Sequence, residues 1–257
     1  MNVLIIGNSH VASIKTGWDS LNGEFASTIS PTFAAARGRG LLTFKRIGTT
    51  FRPTTELCEQ ELRFTSGGLE HIDVSNYELI VTVGLYLGRY RLVENLSRHR
   101  TEELLPDELP RHLVSNEVQQ LTIENAIRGS ICTQFIRRLR EATDGPIIAL
   151  EQPMPRQAVL FESKRKGRWR FAKKLGKAIN EIWEHETARL EGEYRITVLN
   201  QPEATLTGAR LTSDEFGIGS IRLQEGFSEA HRSNEYLHMN ARYGEIVLRH
   251  LVKRLKE

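Results

Sequence analysis

The sequence has few cysteines and no long apolar run. Of its 257 residues only Cys58 and Cys132 are cysteines. They stand far apart and show none of the spacings by which cysteines bind a metal, so we interpret them as reduced thiols of an intracellular protein. No stretch approaches the roughly 18 apolar residues of a membrane-spanning helix. No secretory leader precedes the first apolar segment, so we expect a cytoplasmic protein without a transmembrane segment.

A strong excess of one charge is also lacking. The net charge is +3, with 26% charged and 39% hydrophobic residues, which is ordinary for a globular protein. A charge this small does not by itself predict a nucleic-acid partner, so none is expected. No internal repeat and no shift in composition marks a boundary, and residues 1–257 are predicted to form one domain. No pattern implies a metal or an organic cofactor.

Short apolar segments alternate with segments of helical spacing along the chain. Strand-like runs lie at 3–6, 28–35, 78–83, 147–150 and 194–199, and helical patterns at 11–18, 117–142, 171–191 and 240–255. This alternation predicts a three-layer α/β/α sandwich around a central, mostly parallel five-stranded sheet. Ligands bind such sheets at the carboxyl ends of the strands. The turns after the first three strands should therefore converge on one cleft.

Two segments do not fit a plain connection. Residues 85–116 look irregular and polar and contain Pro106 and Pro110, so a lid or substrate-facing excursion is predicted there. Residues 164–177 hold eight basic residues and no acidic one, with Trp169 and Phe171 interleaved. That run is either the solvated start of a helix or a patch that attracts an anionic glycan, sugar phosphate or lipid surface.

The turn Gly7-Asn8-Ser9-His10 is the first candidate for chemistry. It follows the first apolar run, and helical spacing begins just after Ser9. A serine at a tight strand-to-helix turn can present its hydroxyl to a substrate, while backbone N–H groups at the helix start face developing negative charge. The alternative is that Ser9 simply caps the helix.

The segment before the last helix supplies a possible base for this serine. Glu235 and His238 are three residues apart, which places both side chains on one side of a single turn. A serine hydroxyl becomes a good nucleophile when an imidazole takes its proton, and a carboxylate fixes the tautomer of that imidazole. A histidine beside a helix start is otherwise an ordinary surface or core residue.

Gly7-Asn8-Ser9-His10 together with Glu235-x-x-His238 resembles the SGNH (GDSL-type) hydrolase superfamily. The first block of that family usually reads Gly-Asp-Ser and the last Asp-x-x-His, so Asn8 and Glu235 depart from the usual residues. The resemblance implies a flavodoxin-like fold and a serine esterase. Ser9 would be the nucleophile, His238 the base and Glu235 the orienting acid, with Asn234 as the alternative orienting residue.

The resemblance also implies an oxyanion hole built from the N–H groups of Ser9 and of Gly38 or Gly40. The third block of the family, Gly-x-Asn, is replaced here by Gly84-Leu85-Tyr86, so its asparagine amide is absent. Losing one preorganised donor typically costs roughly 100- to 1000-fold in rate. Either the Tyr86 hydroxyl or the Gln152 amide replaces it, or the enzyme is slow.

Two residues beside the serine complete the candidate site. Asn8 and His10 flank Ser9 and are candidates for substrate contact, although the first interpretation of His10 is a helix-start residue. The predicted function is an esterase, with acetylated carbohydrate as the first substrate class that the resemblance suggests. The alternatives are an O-acyltransferase acting on a glycan, which would need a site closed to water, and a glycan-binding protein on a catalytically weak scaffold.

Overall fold

The computed structural model describes residues 1–104, 112–162, 166–222, 230–232 and 234–257. Pro106, Pro110, Lys164 and Arg165, which the sequence analysis singled out, lie outside the described residues. Within the described ranges, no helix is both long enough and apolar enough to cross a bilayer.

A five-stranded parallel sheet forms the centre of the fold. The strands of the chain are β1 (Asn2–Gly7), β2 (Ser30–Ala35), β3 (Lys45–Ile47), β4 (Thr50–Arg52), β5 (Ile72–Asp73), β6 (Leu79–Val83), β7 (His99–Arg100), β8 (His112–Leu113), β9 (Ile147–Leu150) and β10 (Thr197–Leu199). The central sheet has the order β2-β1-β6-β9-β10, and every neighbouring pair in it is parallel. The strand order changes direction at β1, the position where open sheets of this kind bind ligands.

Helices cover both faces of this sheet. They are α1 (Val11–Ser20), α2 (Gly40–Thr43), α3 (Glu56–Ser66), α4 (Arg89–Leu96), α5 (Asn116–Arg128), α6 (Ile131–Arg140), α7 (Lys166–Lys174), α8 (Gly176–Tyr194) and α9 (Ala241–Lys256). Short 3₁₀ turns lie at Val74–Asn76, Glu102–Leu104, Gln157–Phe161, Glu203–Thr205 and Asp214–Phe216.

Strand β1 shows why the sheet lies inside. Its apolar run Val3–Ile6 is at most 1% exposed. Leu4 and Ile6 belong to one hydrophobic core, with residues of α3, α4, α6 and α8. Val3 and Ile5 point to the opposite core, with residues of α1 and α9. A strand buried on both faces is continuously apolar, as parallel strands are. The predicted three-layer α/β/α fold is confirmed.

Helices α1 and α9 pack closely through two glycines. A Cβ at Gly244 would overlap the Ser13 carbonyl oxygen, and a Cβ at Gly17 would lie 2.6 Å from the Glu245 nitrogen. The two backbones are therefore almost in contact. Because α1 starts just after Ser9 and α9 just after His238, this contact fixes how the two ends of the chain meet.

The structure corrects the predicted excursion at 85–116. Residues 89–96 form helix α4, whose Leu92, Val93 and Leu96 are fully buried in the core. Strands β7 and β8 pair after it. The described part of this segment therefore belongs to the body of the fold. Polar residues such as Arg89 and Glu94 obscured the helical spacing, but both make ion pairs.

Three other segments differ from the sequence prediction. The helix predicted over 117–142 is two helices, because the Ser130 hydroxyl accepts a hydrogen bond from the Thr133 N–H (3.1 Å) and caps α6. The helix predicted over 171–191 is likewise divided into α7 and α8. Residues 40–77, to which the pattern assigned no helix or strand, contain α2, α3 and the antiparallel sheet β3-β4-β5.

The aromatic residues of the basic run lie in the core. Trp169 is 5% exposed and its ring lies 5.2 Å from the ring of Tyr90, and Phe171 is 6% exposed. Arg168 forms an ion pair with Glu94. The described part of the run thus forms the amphipathic helix α7 and the start of α8, and its aromatic rings are not available for stacking on a ligand.

Candidate active site

Ser9 lies in the turn between β1 and α1. The residue at the N-cap of α1 is His10, and no side chain caps the helix. The cap interpretation of Ser9 is therefore wrong. Its hydroxyl oxygen instead lies 2.8 Å from Nε2 of His238, within hydrogen-bonding distance. The structure thus brings together two side chains that are 229 positions apart in the sequence.

The position of His238 follows from the way the chain enters α9. The Asn240 side chain accepts a hydrogen bond from the Tyr243 N–H (3.2 Å) and caps that helix. Its amide nitrogen donates to the carbonyl oxygens of Glu215 (2.7 Å) and Ile218 (2.8 Å). These bonds anchor the chain two residues after His238, so the imidazole is presented from a fixed turn.

Glu235 is the carboxylate beside this imidazole. Its Oε1 lies 3.4 Å from His238 Nδ1, a long contact that falls short of a formed hydrogen bond. The imidazole holds the pKa of Glu235 down to about 2, and a hydrogen bond from the Leu237 N–H (2.8 Å) acts in the same direction. Glu235 is therefore ionised at neutral pH. Asn234, the alternative orienting residue, is exposed.

Arg156 ties the turn of Glu235 and His238 to the body of the protein. Its guanidinium donates to the Glu235 carbonyl oxygen (2.7 and 3.2 Å) and lies over the Tyr236 ring, 5.4 Å from the centroid. Its backbone N–H donates to the Tyr236 carbonyl oxygen (2.8 Å). No motif marks an arginine 79 residues before its partner, so sequence reasoning missed this residue.

Two further histidines surround His238. The ring of His10 is stacked on that of His238, with centroids 5.3 Å apart, and the ring of His231 lies 4.2 Å away on a tilted plane. Burial, reinforced by the neighbouring His238, lowers the pKa of His10 to about 3. Burial also lowers the pKa of His231. His10 is 6% exposed, stands at the N-cap of α1 and is not among the described residues that line the cavity.

A cavity of about 310 Å³ opens beside Ser9 and His238. Its charged lining includes Arg37, whose backbone N–H and guanidinium both bind the Glu61 carboxylate. Arg222 and His231 lie on the lining as well, and neither was singled out by the sequence. The lining residues are Asn8, Ser9, Ala12, Ala35, Arg37, Glu61, Thr65, Ile221, Arg222, His231 and His238.

The two glycines proposed as oxyanion donors differ in whether their backbone N–H is already hydrogen-bonded. The Gly40 N–H donates to the Arg37 carbonyl oxygen (2.9 Å), so it is not free to bind an oxyanion, and this part of the prediction is wrong. The N–H groups of Ser9 and Gly38 have no acceptor among the residues that the structure describes. Gly38 therefore stays the candidate for the second donor.

Neither proposed replacement for the missing asparagine lies in the cavity lining, as far as the chain is described. Gln152 is 2% exposed, and its Oε1 accepts the Tyr86 N–H (2.9 Å). The Gln152 side chain is therefore hydrogen-bonded to the Tyr86 backbone. Gly84, Leu85 and Tyr86 have φ values of +72°, +56° and +62°, a left-handed run that L-residues rarely adopt. Backbone held in this way is often found at functional sites.

No metal centre stands out beside this arrangement. Among the described residues, no group of three or more His, Cys, Asp or Glu side chains could hold a metal ion.

Comparison with solved structures finds a distant likeness in fold. No family model matches the chain, and no curated protein matches it. One solved structure to which it is similar is the periplasmic domain of the lipopolysaccharide acetyltransferase of Salmonella ser. Paratyphi A. The two are 11% identical, with a TM-score of 0.49, over 100% of this chain and 84% of that chain.

Proposed function

We propose that this protein is a serine-dependent acyl-ester hydrolase of the SGNH type. The observation that carries the proposal is the 2.8 Å distance between Ser9 Oγ and His238 Nε2 at the edge of a cavity. A nucleophile within hydrogen-bonding reach of a base, with an ionised carboxylate behind that base, is the arrangement that activates serine in hydrolases. Ser9, His238 and Glu235 fill these three positions.

The reaction proceeds in two halves. Ser9 Oγ attacks the ester carbonyl carbon while His238 Nε2 takes the hydroxyl proton. The tetrahedral intermediate then expels the alcohol, which receives that proton from His238, and leaves an acyl group on Ser9. Water attacks the acyl-serine with His238 again as the base, which releases the carboxylic acid and restores the Ser9 hydroxyl.

Glu235 acts on this cycle through the imidazole. Its carboxylate stays ionised down to a pH near 2, so it favours the tautomer with the proton on Nδ1. That tautomer leaves Nε2 free to accept the serine proton. The 3.4 Å contact is long, and such contacts commonly tighten when substrate binds.

The oxyanion is assigned two backbone donors in this proposal. The Ser9 N–H lies at the start of α1, and the Gly38 N–H lies in the turn after β2. Strands β1 and β2 are parallel neighbours, so they end at the same edge of the sheet. Asn8, after β1, and Arg37, after β2, both line the cavity. The resemblance to SGNH hydrolases suggests acetyl esters of carbohydrates as the first substrates to assay.

An active-site phosphonate probe tests the proposal. We expect a fluorophosphonate to label wild-type protein at Ser9, located by mass spectrometry, and Ser9→Ala to prevent labelling. Turnover of p-nitrophenyl acetate should fall by at least about 1000-fold in Ser9→Ala and in His238→Ala, because the triad members act as one unit. A matched control is Ser20→Ala, at the exposed end of the same helix, which should keep wild-type turnover.

Two results would contradict the hydrolase proposal. One is labelling at a serine other than Ser9. The other is unchanged turnover in both variants, with thermal melts showing that they are folded. Transfer of the acyl group to added glycan in preference to water would change the assignment from hydrolase to O-acyltransferase with the same nucleophile.

A further inference from the structure

The site lacks the side-chain amide that its resemblance to SGNH hydrolases leads one to expect. Tyr86 stands at that position, and the Gln152 side chain accepts a hydrogen bond from the Tyr86 N–H, but neither residue is among the described residues that line the cavity. Backbone donors alone give an oxyanion hole with fewer contacts, and each preorganised donor is worth roughly 100- to 1000-fold in rate. A side-chain amide does exist at the cavity, however, on the residue just before the nucleophile.

Only the oxygen end of the Asn8 side-chain amide makes a hydrogen bond within the described protein. It is 5% exposed and lines the cavity together with Ser9 and His238. Its Oδ1 accepts a hydrogen bond from the His10 N–H (3.2 Å), which assigns the oxygen end of the amide. The NH₂ end has no acceptor among the described residues. An amide donor that has no acceptor in the described protein and belongs to a residue lining the cavity beside Ser9 can donate to an anion bound there.

Gly84 leaves the space that the Asn8 side chain occupies. A Cβ at position 84 would lie 2.6 Å from Asn8 Oδ1 and 2.8 Å from His10 Cδ2. Its φ of +72° also disfavours any residue with a side chain. The glycine of the third block therefore packs directly against the Asn8 amide, so the turns after β1 and β6 are matched to each other through this side chain.

We propose that the Asn8 amide nitrogen donates the third hydrogen bond to the oxyanion and so replaces the missing block-three asparagine. This inference rests on the proposed hydrolase function. When Ser9 Oγ bonds to the carbonyl carbon, the carbonyl oxygen gains the negative charge. Asn8 Nδ2–H stabilises that charge together with the N–H groups of Ser9 and Gly38. The amide loses no proton during the cycle.

The test is Asn8→Asp, a change of nearly the same shape. The aspartate keeps an oxygen to accept the His10 N–H but has no N–H to donate, and its charge repels an oxyanion. We expect kcat for p-nitrophenyl acetate to fall roughly 100- to 1000-fold with KM within a few-fold of wild type. Asn8→Ala removes the donor without adding charge and should also lower kcat, by at least about 30-fold.

The matched control is Asn200→Asp, the same chemical change at an exposed position. Asn200 Oδ1 accepts the Trp183 indole N–H (2.7 Å), and an aspartate retains that acceptor. Its kcat should equal that of wild type. Thermal melts of all variants separate a loss of catalysis from a loss of folding. If Asn8→Asp is unfolded at the assay temperature, the Asn8→Ala variant decides the test.

The outcomes separate this inference from the function on which it rests. If Asn8→Asp and Asn8→Ala retain kcat within about three-fold of wild type while Ser9→Ala is inactive, the oxyanion role of Asn8 is wrong and the hydrolase proposal stands. If wild-type protein neither labels at Ser9 nor turns over ester, both fail together. A selective loss of kcat in the Asn8 variants, with Ser9 still labelled, supports both.

Discussion

His10 is a histidine that the folded protein keeps uncharged. Its pKa is lowered from 6.5 to about 3, chiefly by burial and also by His238, while Glu235 opposes the shift. The unfolded chain binds a proton at this residue below pH 6.5, and the folded chain does not. Stability should therefore rise with pH through the window from about 3 to 6.5.

This difference predicts a measurable slope. On going from pH 5 to pH 7, the free energy of unfolding should rise by about 2 kcal/mol because of His10 alone. His10→Phe keeps a ring in place but cannot titrate, so that part of the slope should disappear in urea denaturation. His185→Phe, at an exposed position of α8, is the control and should retain the wild-type slope. An equal slope in wild type and His10→Phe would contradict the assignment.

At this scale the sequence identified some residues of the site and not others. Ser9, Glu235 and His238 could be named because nucleophile, acid and base need particular residue types, and the structure brings these three together. Arg156 and His231 could not, because their contacts depend on tertiary packing alone. Gly40 was misassigned, because a local hydrogen bond that the pattern does not show occupies its N–H.

The contact between α1 and α9 determines the geometry of the site. These helices begin two residues after Ser9 and three residues after His238, and they approach each other closely at Gly17 and Gly244. A methyl group at position 244 would meet the Ser13 backbone, which cannot move as a flexible side chain could. The helices must separate to admit it, and Ser9 and His238 must then separate as well.

Gly244→Ala should accordingly be costly in two ways. We expect a loss of about 3 kcal/mol in unfolding free energy from overpacking, with a fall in ester turnover at temperatures where the variant is still folded. The control is Gly192→Ala in α8, where a Cβ meets nothing within 4 Å. This variant should raise the free energy of unfolding by roughly 0.5–1 kcal/mol. A neutral Gly244→Ala would show that the helices separate at no cost.

Elements were predictable where apolar spacing was strong. Strands β1, β6 and β9 follow from nearly continuous apolar runs, and α9 follows from a clear 3.6-residue period. Helix α4 was missed because its charged residues, which form ion pairs, interrupt the apolar spacing; the buried Arg89 is bound to Glu151 at 2.7 Å. The small sheet β3-β4-β5 was missed because strands of two or three residues carry too few side chains to show a period.

For the molecule as a whole, the candidate site joins distant parts of the chain. Ser9 and His238 are 229 positions apart, whereas Trp169 and Trp183 lie close together in sequence on α7 and α8. Contacts between distant residues require closure of long loops and form late during folding. Ser9 should therefore meet His238 only when the whole sheet and α9 are assembled.

Refolding experiments can observe this order. In a Trp18→Phe background, which leaves only Trp169 and Trp183 as fluorophores, tryptophan fluorescence should recover in early phases. Pulses of fluorophosphonate given during refolding should label Ser9 only in the slowest phase. Pulses given to native protein set the full extent of labelling. Labelling that precedes the recovery of fluorescence would show that the serine and histidine meet before the α7–α8 region folds.

The left-handed run Gly84-Leu85-Tyr86 has a consequence at the level of the gene. Left-handed backbone is unfavourable for most L-residues by roughly 1–2 kcal/mol, and asparagine is among the residues that tolerate it best. Tyrosine and asparagine codons differ only in their first base. A single nucleotide change at position 86 would thus relax the backbone and, in the same step, create the Gly-x-Asn block that this chain lacks. A single point mutation would thus give one protein both donors: the amide proposed at Asn8 and the asparagine amide now absent at position 86.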